Sequence, residues 1–365
     1  MKASANGTLP THARQIFYAA RPTILEKAHD RYGNPLDLKS DYFTQTLLPD
    51  YMNENPIQTA DWDVVFDARG KFTEPHTGNA VPLSTVDVRE YLHEMTNDGG
   101  KDVSFQEVDE TFPTAGPVNR YGAIVFIEKE GFLPLFKKVR LAERYDIAIM
   151  STKGMSVTAA RNLVENVCGT YSVPLLILRD FDKAGFAIAA SFQKDTRRYQ
   201  FAQSFEVVDL GLRLEDVQRW NLVSEDVHYT ANPTRNLVMN GASPDERAFL
   251  LEGGSRKKYY GRRVELNAFP SSDFIQWIES KLDSQGIKKI IPDKDVLENA
   301  YARAVKVAVV NNAIEAALDD AEDAAQKLTM PKTLGQTIAE RLKEDPTLTW
   351  DSVVAHLAKE NLFTG

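Results

Sequence analysis

YGAIVFIEKEGFLPLF (residues 121–136) and LLILRDFDKAGFAI (residues 175–188) decide the fold of this chain. Each reads as a short apolar strand that ends on acid and runs into a helical pattern. Ala123–Ile127 is an uninterrupted apolar run of the buried-strand type, followed by Glu128. Pro174–Leu178 is a second such run, followed by Asp180 and Asp182. Between them Asp146–Met150 forms a third, closed by Ser151-Thr152-Lys153-Gly154. Strands alternating with helices predict a parallel α/β sheet flanked by helices. Ligands of such sheets gather beyond the carboxyl ends of the strands.

In an extended segment, residues i and i+2 point the same way. Asp180 and Asp182 can therefore face one ion while Phe181 turns toward the sheet, and Glu128 can complete the site from a neighbouring strand. Hard carboxylate oxygens suit Mg²⁺, which takes one or two protein carboxylates and fills its shell with water and phosphate oxygens. Neither His nor Cys lies among the three acids, which disfavours zinc. For either half alone, capping of a strand end or a helix start is the better reading of the acid. The two halves together, each with a helix after it, point to a metal site.

EKEG with its helix, then the Lys153-Gly154 turn, then DFDKAG, resembles the Toprim domain shared by topoisomerases, primases and some nucleases. The variant is similar to that of Spo11 and the topoisomerase VI A subunit. Val208–Val217 (VDLGLRLEDV) resembles the family's segment after the DxD helix, and Arg263–Phe269 (RVELNAF) its late EIQAL-like segment. The resemblance spans roughly Asn119 to Phe269. An ordered set of motifs is far more specific than DxD alone. It implies a Toprim fold, a Rossmann-like parallel sheet between helices, with Mg²⁺ at Glu128, Asp180 and Asp182.

Upstream, Ile16, Phe17, Ala20, Ile24 and Ala28 recur at helical spacing and predict a helix over about 12–30, with Pro22 suggesting a kink or boundary near Arg21. Arg14-Gln15-Ile16-Phe17-Tyr18 lies within it. With 13 tyrosines in the chain, a Phe-Tyr pair in an amphipathic helix is usually core packing. Ahead of a Toprim of this variant, however, it resembles the RxxYY or RxxFY motif that carries the family's cleaving tyrosine. The resemblance implies Tyr18 as nucleophile, with Arg14 one helical turn before it on the same face. It also implies a 5′-phosphotyrosyl intermediate, with Glu128 either holding metal or protonating the leaving group.

Asp41–Tyr51 predicts a short helix, Trp62–Phe72 a hairpin turning at Arg69-Gly70, and Ser84 or Thr85 a capped helix to about Met95. His76 sits in the intervening loop. Helix, hairpin and helix suit a small α+β winged-helix-like DNA-binding domain. Only 17 residues precede Tyr18 in this sequence, so the winged helix upstream of the tyrosine is expected to be absent or truncated relative to the family. The expected organisation is a tyrosine-bearing domain over 1–117, a Toprim domain over 118–290 and a helical C-terminal region over 291–365. In the last, Glu315–Ala324 is strongly acidic and suits a face turned away from DNA.

The chain has 365 residues and a net charge of −9, which counts against DNA binding over the whole surface. Local basic clusters supply candidate contacts: Lys153, Arg197 and Arg198 beside Lys194, and Arg256 and Lys257 in a run of base and aromatics ending at Arg263. Lys137-Lys138-Val139-Arg140 reads better as a solvated helix face. One cysteine, Cys168, in an apolar helical pattern, excludes an internal disulfide and suits a buried thiol. No apolar run reaches the length of a membrane span, and the first residues lack the apolar core of a signal peptide. A cytoplasmic, nucleoid-associated protein is expected.

The family resemblance implies double-stranded DNA as substrate and a homodimer in which each chain cuts one strand. The sequence carries no Gly-rich ATPase loop, so ATP-driven strand passage would need a separate GHKL-type ATPase subunit. The competing readings are a Toprim nuclease using metal-activated water with no tyrosyl link, and a non-catalytic DNA-binding scaffold.

Overall fold

The structure, a computed structural model, describes residues 2–5, 7–29, 32–36, 38–59, 62–66, 70–74, 80–96, 117–151, 158–195, 200–327 and 331–363. Its centre is a four-stranded sheet with the spatial order Ile147–Ser151, Ala123–Ile127, Leu175–Leu178, Val207–Gly211. All three pairings are parallel. Every residue of the two central strands is buried. A strand covered on both faces reads as a continuous apolar run, not as an alternating one. Side chains alternate between two cores. Val125, Ile127, Leu176 and Leu178 join Phe132, Phe136, Phe274 and Trp277 on one face. Ile124, Phe126, Leu175 and Ile177 join Val164, Ile188 and Phe192 on the other.

A second, three-stranded antiparallel sheet lies downstream, with Lys258–Arg263 between Gly253–Ser255 and Glu225–Tyr229. Its tight hairpin turns at Arg256 and Lys257, both exposed and both in the left-handed region (φ 47° and 70°). That is the geometry a two-residue hairpin turn of matching twist requires.

At the front, the helix runs from Ala13 to Lys27 and contains Pro22 in its interior. The expected boundary near Arg21 is therefore absent. Pro22 lacks the N–H that would reach the Tyr18 carbonyl. His12 caps the helix, its ring nitrogen accepting from the Arg14 N–H (3.2 Å) while Gln15 accepts from the His12 N–H (2.9 Å). The expected hairpin over 62–72 is also replaced. Val64 and Val65 are both buried and pair in parallel with Thr11 and His12, while Lys71–Thr73 pairs with Ala80–Pro82. Two adjacent buried residues in a two-residue strand give no alternation for sequence to read. A helix over Thr85–Thr96 follows.

The compact units are discontinuous in sequence. Residues 1–70, 82–91 and 113–292 form one, so the tyrosine helix and the parallel sheet share a unit. The other takes in residues 71–81, 92–112 and 293–365 and contains the helices Lys294–Lys327, Leu334–Glu344 and Trp350–Phe363. Among the described residues no helix is long and apolar enough to cross a membrane.

Candidate active site at the carboxyl edge of the sheet

Pairing of Ile127 with Leu178 brings the ends of the two central strands side by side, and the Glu128 N–H donates to the Leu178 carbonyl (3.3 Å). Beyond Leu178 the chain is clamped. Phe181 exchanges two backbone hydrogen bonds with Val264 (2.8 and 3.1 Å) and buries its ring against Phe186 and Phe249. This inward turn is the one expected from the alternation. Arg179 is fully buried, donates to both oxygens of Asp209 (2.9 and 2.6 Å) and to the Asp180 carbonyl (3.0 Å), and lies 3.7 Å from the Phe186 ring centroid.

Asp182 caps the Lys183–Ser191 helix by accepting the Gly185 N–H (2.7 Å). A Cβ on Gly185 would stand 2.2 Å from the Asp180 carbonyl oxygen, so only glycine permits this close return of the helix onto the loop. Gly185→Ala is expected to destabilise the protein by about 3 kcal/mol, as overpacking against backbone does. Urea unfolding at neutral pH measures it, and an unchanged midpoint would contradict the packing.

The three acids are not equivalent. Asp180 is buried and both its oxygens are engaged: one accepts the Leu266 N–H (2.8 Å), the other the Lys129 ammonium (2.9 Å). Burial, then repulsion from Glu265 and Asp182, pushes its pKa up to about 6 against the pull of Lys129. Glu128 is half-buried, and its Oε2 is buried with no hydrogen-bond partner. Burial, then Asp180 and Asp182, raises its pKa to about 7. Asp182 spends one oxygen on its cap and has no further bond among the described residues.

A fourth acid, Glu265, ties the network together. It is 3% exposed, accepts from Lys129 (2.8 Å) and from Arg14 (2.8 and 2.9 Å), and forms an ion pair with Arg263 (3.2 Å). Burial alone would raise its pKa; Lys129, Arg14 and Arg263 outweigh that and hold it down at about 2. Lys129 is raised above its ordinary value because Asp180 and Glu265 outweigh its burial.

Among the described residues, no three His, Cys, Asp or Glu side chains are grouped to hold one metal ion. The oxygens left without protein partners belong to Glu128 and Asp182. Two such carboxylates match the usual protein share of a Mg²⁺ site. The buried, unpartnered Glu128 oxygen beside Asp180 and Asp182 marks a place short of positive charge. The donor set thus fits a hard divalent cation at Glu128 and Asp182, with Asp180 locked beside them.

The Ala13–Lys27 helix docks on this edge. Gln15 donates to the Phe269 carbonyl (2.8 Å), and Arg14 bridges Glu265 and Asp41 (2.9 Å). Tyr18 is 3% exposed, packs edge-on to Phe17 (5.3 Å), and its hydroxyl has no hydrogen-bond partner of ordinary geometry. Burial, then Glu265 and Glu225, pushes its pKa far above the ordinary value, with Arg263 pulling the other way. A phenol so placed stays protonated and meets no phosphate until the helix or its cover shifts.

Arg256 and Lys257 stand exposed at the hairpin tip. Lys153, Arg197, Arg198 and His76 lie outside the described residues. Lys129, Glu265 and Arg263 escaped sequence reasoning as site residues, although the first stands in EKEG and the other two in RVELNAF. Nothing in local spacing shows that Lys129 and Glu265 pair across 136 positions.

Over residues 123–246 the chain matches the family model for the Toprim domain of the topoisomerase 6 A subunit/Spo11. No curated protein matches it. Glu128, Asp180, Asp182 and Gly185 all lie within the matched residues. Residues 123–246 thus form a Toprim domain, similar to that of Spo11 and the topoisomerase 6 A subunit.

Proposed function

We propose that this protein cleaves double-stranded DNA at the Glu128, Asp180 and Asp182 edge with Mg²⁺, through a 5′-phosphotyrosyl link to Tyr18. The reading is carried by Glu265, one buried carboxylate that ion-pairs both with Arg14 of the tyrosine helix and with Lys129 of the acid edge. Phenol and acids therefore belong to one charged assembly. The phenol oxygen attacks the phosphorus, the bond to the 3′ oxygen breaks, and a free 3′ hydroxyl remains. Glu225, an electrostatic neighbour of the Tyr18 hydroxyl, takes the phenol proton. Glu128, with a pKa of about 7, holds metal or returns a proton to the leaving oxygen. Arg14 and Arg263 exchange their carboxylate partners for phosphate oxygens. Glu128 and Asp182 would hold the divalent ion, which when bound would supply positive charge against the charge that develops during cleavage.

The phosphotyrosyl ester keeps the energy of the cut bond, so resealing reverses the same step. Two chains acting as a homodimer make a double-strand break, and ATP-driven strand passage requires a separate GHKL-type ATPase subunit. In this reading residues 1–117 carry the tyrosine, 118–290 the metal site, and 291–365 a helical region outside the chemistry. The compartment is the cytoplasm, at the nucleoid.

The buried phenol favours a second reading, a Toprim nuclease that uses water and leaves Tyr18 as packing. Plasmid incubated with protein and Mg²⁺ and stopped with SDS separates the two. Protein-linked 5′ ends, lost in Tyr18→Phe, support the tyrosyl route. Free 5′ phosphates, with Tyr18→Phe still active, support the nuclease.

A further inference from the structure

A cleft of about 320 Å³ opens between the start of the Lys183–Ser191 helix and the inner face of the antiparallel sheet. Asp182, Lys183, Ala184, Ala187, Val227, Tyr229 and Arg263 line it. Period-two alternation along Glu225–Tyr229 puts Glu225, Val227 and Tyr229 on one face of that strand. The cross-strand pair Arg263 and Glu225 (2.9 Å between side chains) places Arg263 on the same face. Two groups here are unspent. The Tyr229 hydroxyl oxygen is buried with no hydrogen-bond partner, and the Lys183 ammonium has no partner among the described residues. A buried unmade hydrogen bond is costly, so the site demands an acceptor. Both unspent groups are donors and one is cationic. The walls between them are the small apolar Ala184, Ala187 and Val227.

The geometry points to a seat for one DNA backbone unit beside the acids: a phosphodiester held by Lys183, Tyr229 and Arg263, with its deoxyribose against Ala184, Ala187 and Val227. Neither Lys183 nor Tyr229 belongs to the cleavage chemistry above; their task is to hold the strand in register next to Asp182. The inference rests on the DNA-cleaving reading and adds to it the residues that grip the strand.

The test uses the full chain carrying Glu128→Gln, so that DNA stays uncut, with Mg²⁺ and a labelled short DNA duplex followed by fluorescence anisotropy. Lys183→Gln is expected to weaken binding about tenfold and to reduce the slope of log K against log salt by about 0.9, one phosphate contact's worth. Lys183→Arg restores the slope. Tyr229→Phe is expected to weaken binding about fivefold, with the slope unchanged, because a neutral donor is lost. A change in folding alone would not divide the two variants in this way. Deoxynucleoside monophosphate is expected to leave the duplex bound; displacement at micromolar concentration would assign the cleft to free nucleotide and overturn the proposal. Duplex binding that ignores both substitutions would overturn it while leaving DNA cleavage standing. Failure of the parent protein to bind duplex at all would overturn the cleavage reading itself.

Discussion

Glu265→Ala is expected to cost the protein about 3 kcal/mol of stability, toward the low end of what breaking a buried ion pair from one side costs. The carboxylate is almost fully buried and neutralises three cations at once. Removing it leaves Lys129 with Asp180, Arg14 with Asp41 and Arg263 with Glu225. Those remaining pairs, and the partial exposure of Arg14 and Arg263, keep the loss below the upper values for such sites. Urea unfolding at pH 7 measures it, and a loss under about 1 kcal/mol would mean that the bridge between helix and sheet is not formed.

The pH dependence carries a second signature. Glu265 titrates at about 2 in the folded chain, below the ordinary 4.5. Its contribution is therefore complete above pH 4.5 and is lost as pH falls toward 2. Glu265→Gln keeps the shape of the side chain and should flatten that acid limb.

Glu128→Gln is expected to act in opposite directions on stability and activity. The folded pKa of Glu128, about 7, lies above its ordinary 4.5. For a raised acid, the protonated form is the favoured one in the fold, so stability is fully present below pH 4.5 and is lost as pH rises through 7. That is worth about 3 kcal/mol by pH 8 when no divalent ion is present. The glutamine variant carries no such charge, so in EDTA at pH 8 it should be the more stable protein by up to that amount.

Adding Mg²⁺ should stabilise the native chain at pH 8 and leave the variant nearly unmoved. Strand cleavage by the variant should fall by about 100-fold or more, the usual scale for loss of a general acid or base. Equal melting temperatures of the two proteins in EDTA at pH 8 would show that Glu128 is not held, as the fold implies, in a buried place beside Asp180 and Asp182.

Much of the parallel sheet was legible in the sequence because its cause is local. Ala123–Ile127 and Leu175–Leu178 are apolar throughout, the pattern of strands covered on both faces. Acid placed directly after each strand, with Phe181 between two aspartates, can be read from the two-residue repeat alone. Gly185 is legible as a motif residue, but its reason, an approach to the Asp180 carbonyl that no Cβ tolerates, is spatial.

The partners of those residues were settled only by tertiary structure. Lys129 looks like any lysine beside a glutamate until the chain returns at Glu265, and Arg14 finds the same carboxylate from the other direction. Val64 and Val65 join Thr11 and His12 because burial at that edge outweighs the hairpin their neighbours suggested. Tyr18 has the motif of a nucleophile in the sequence and the surroundings of a core residue in the fold. Spacing along a chain fixes which side chains share a face, whereas burial and long-range charge depend on which distant segments close over that face, and no local repeat encodes that.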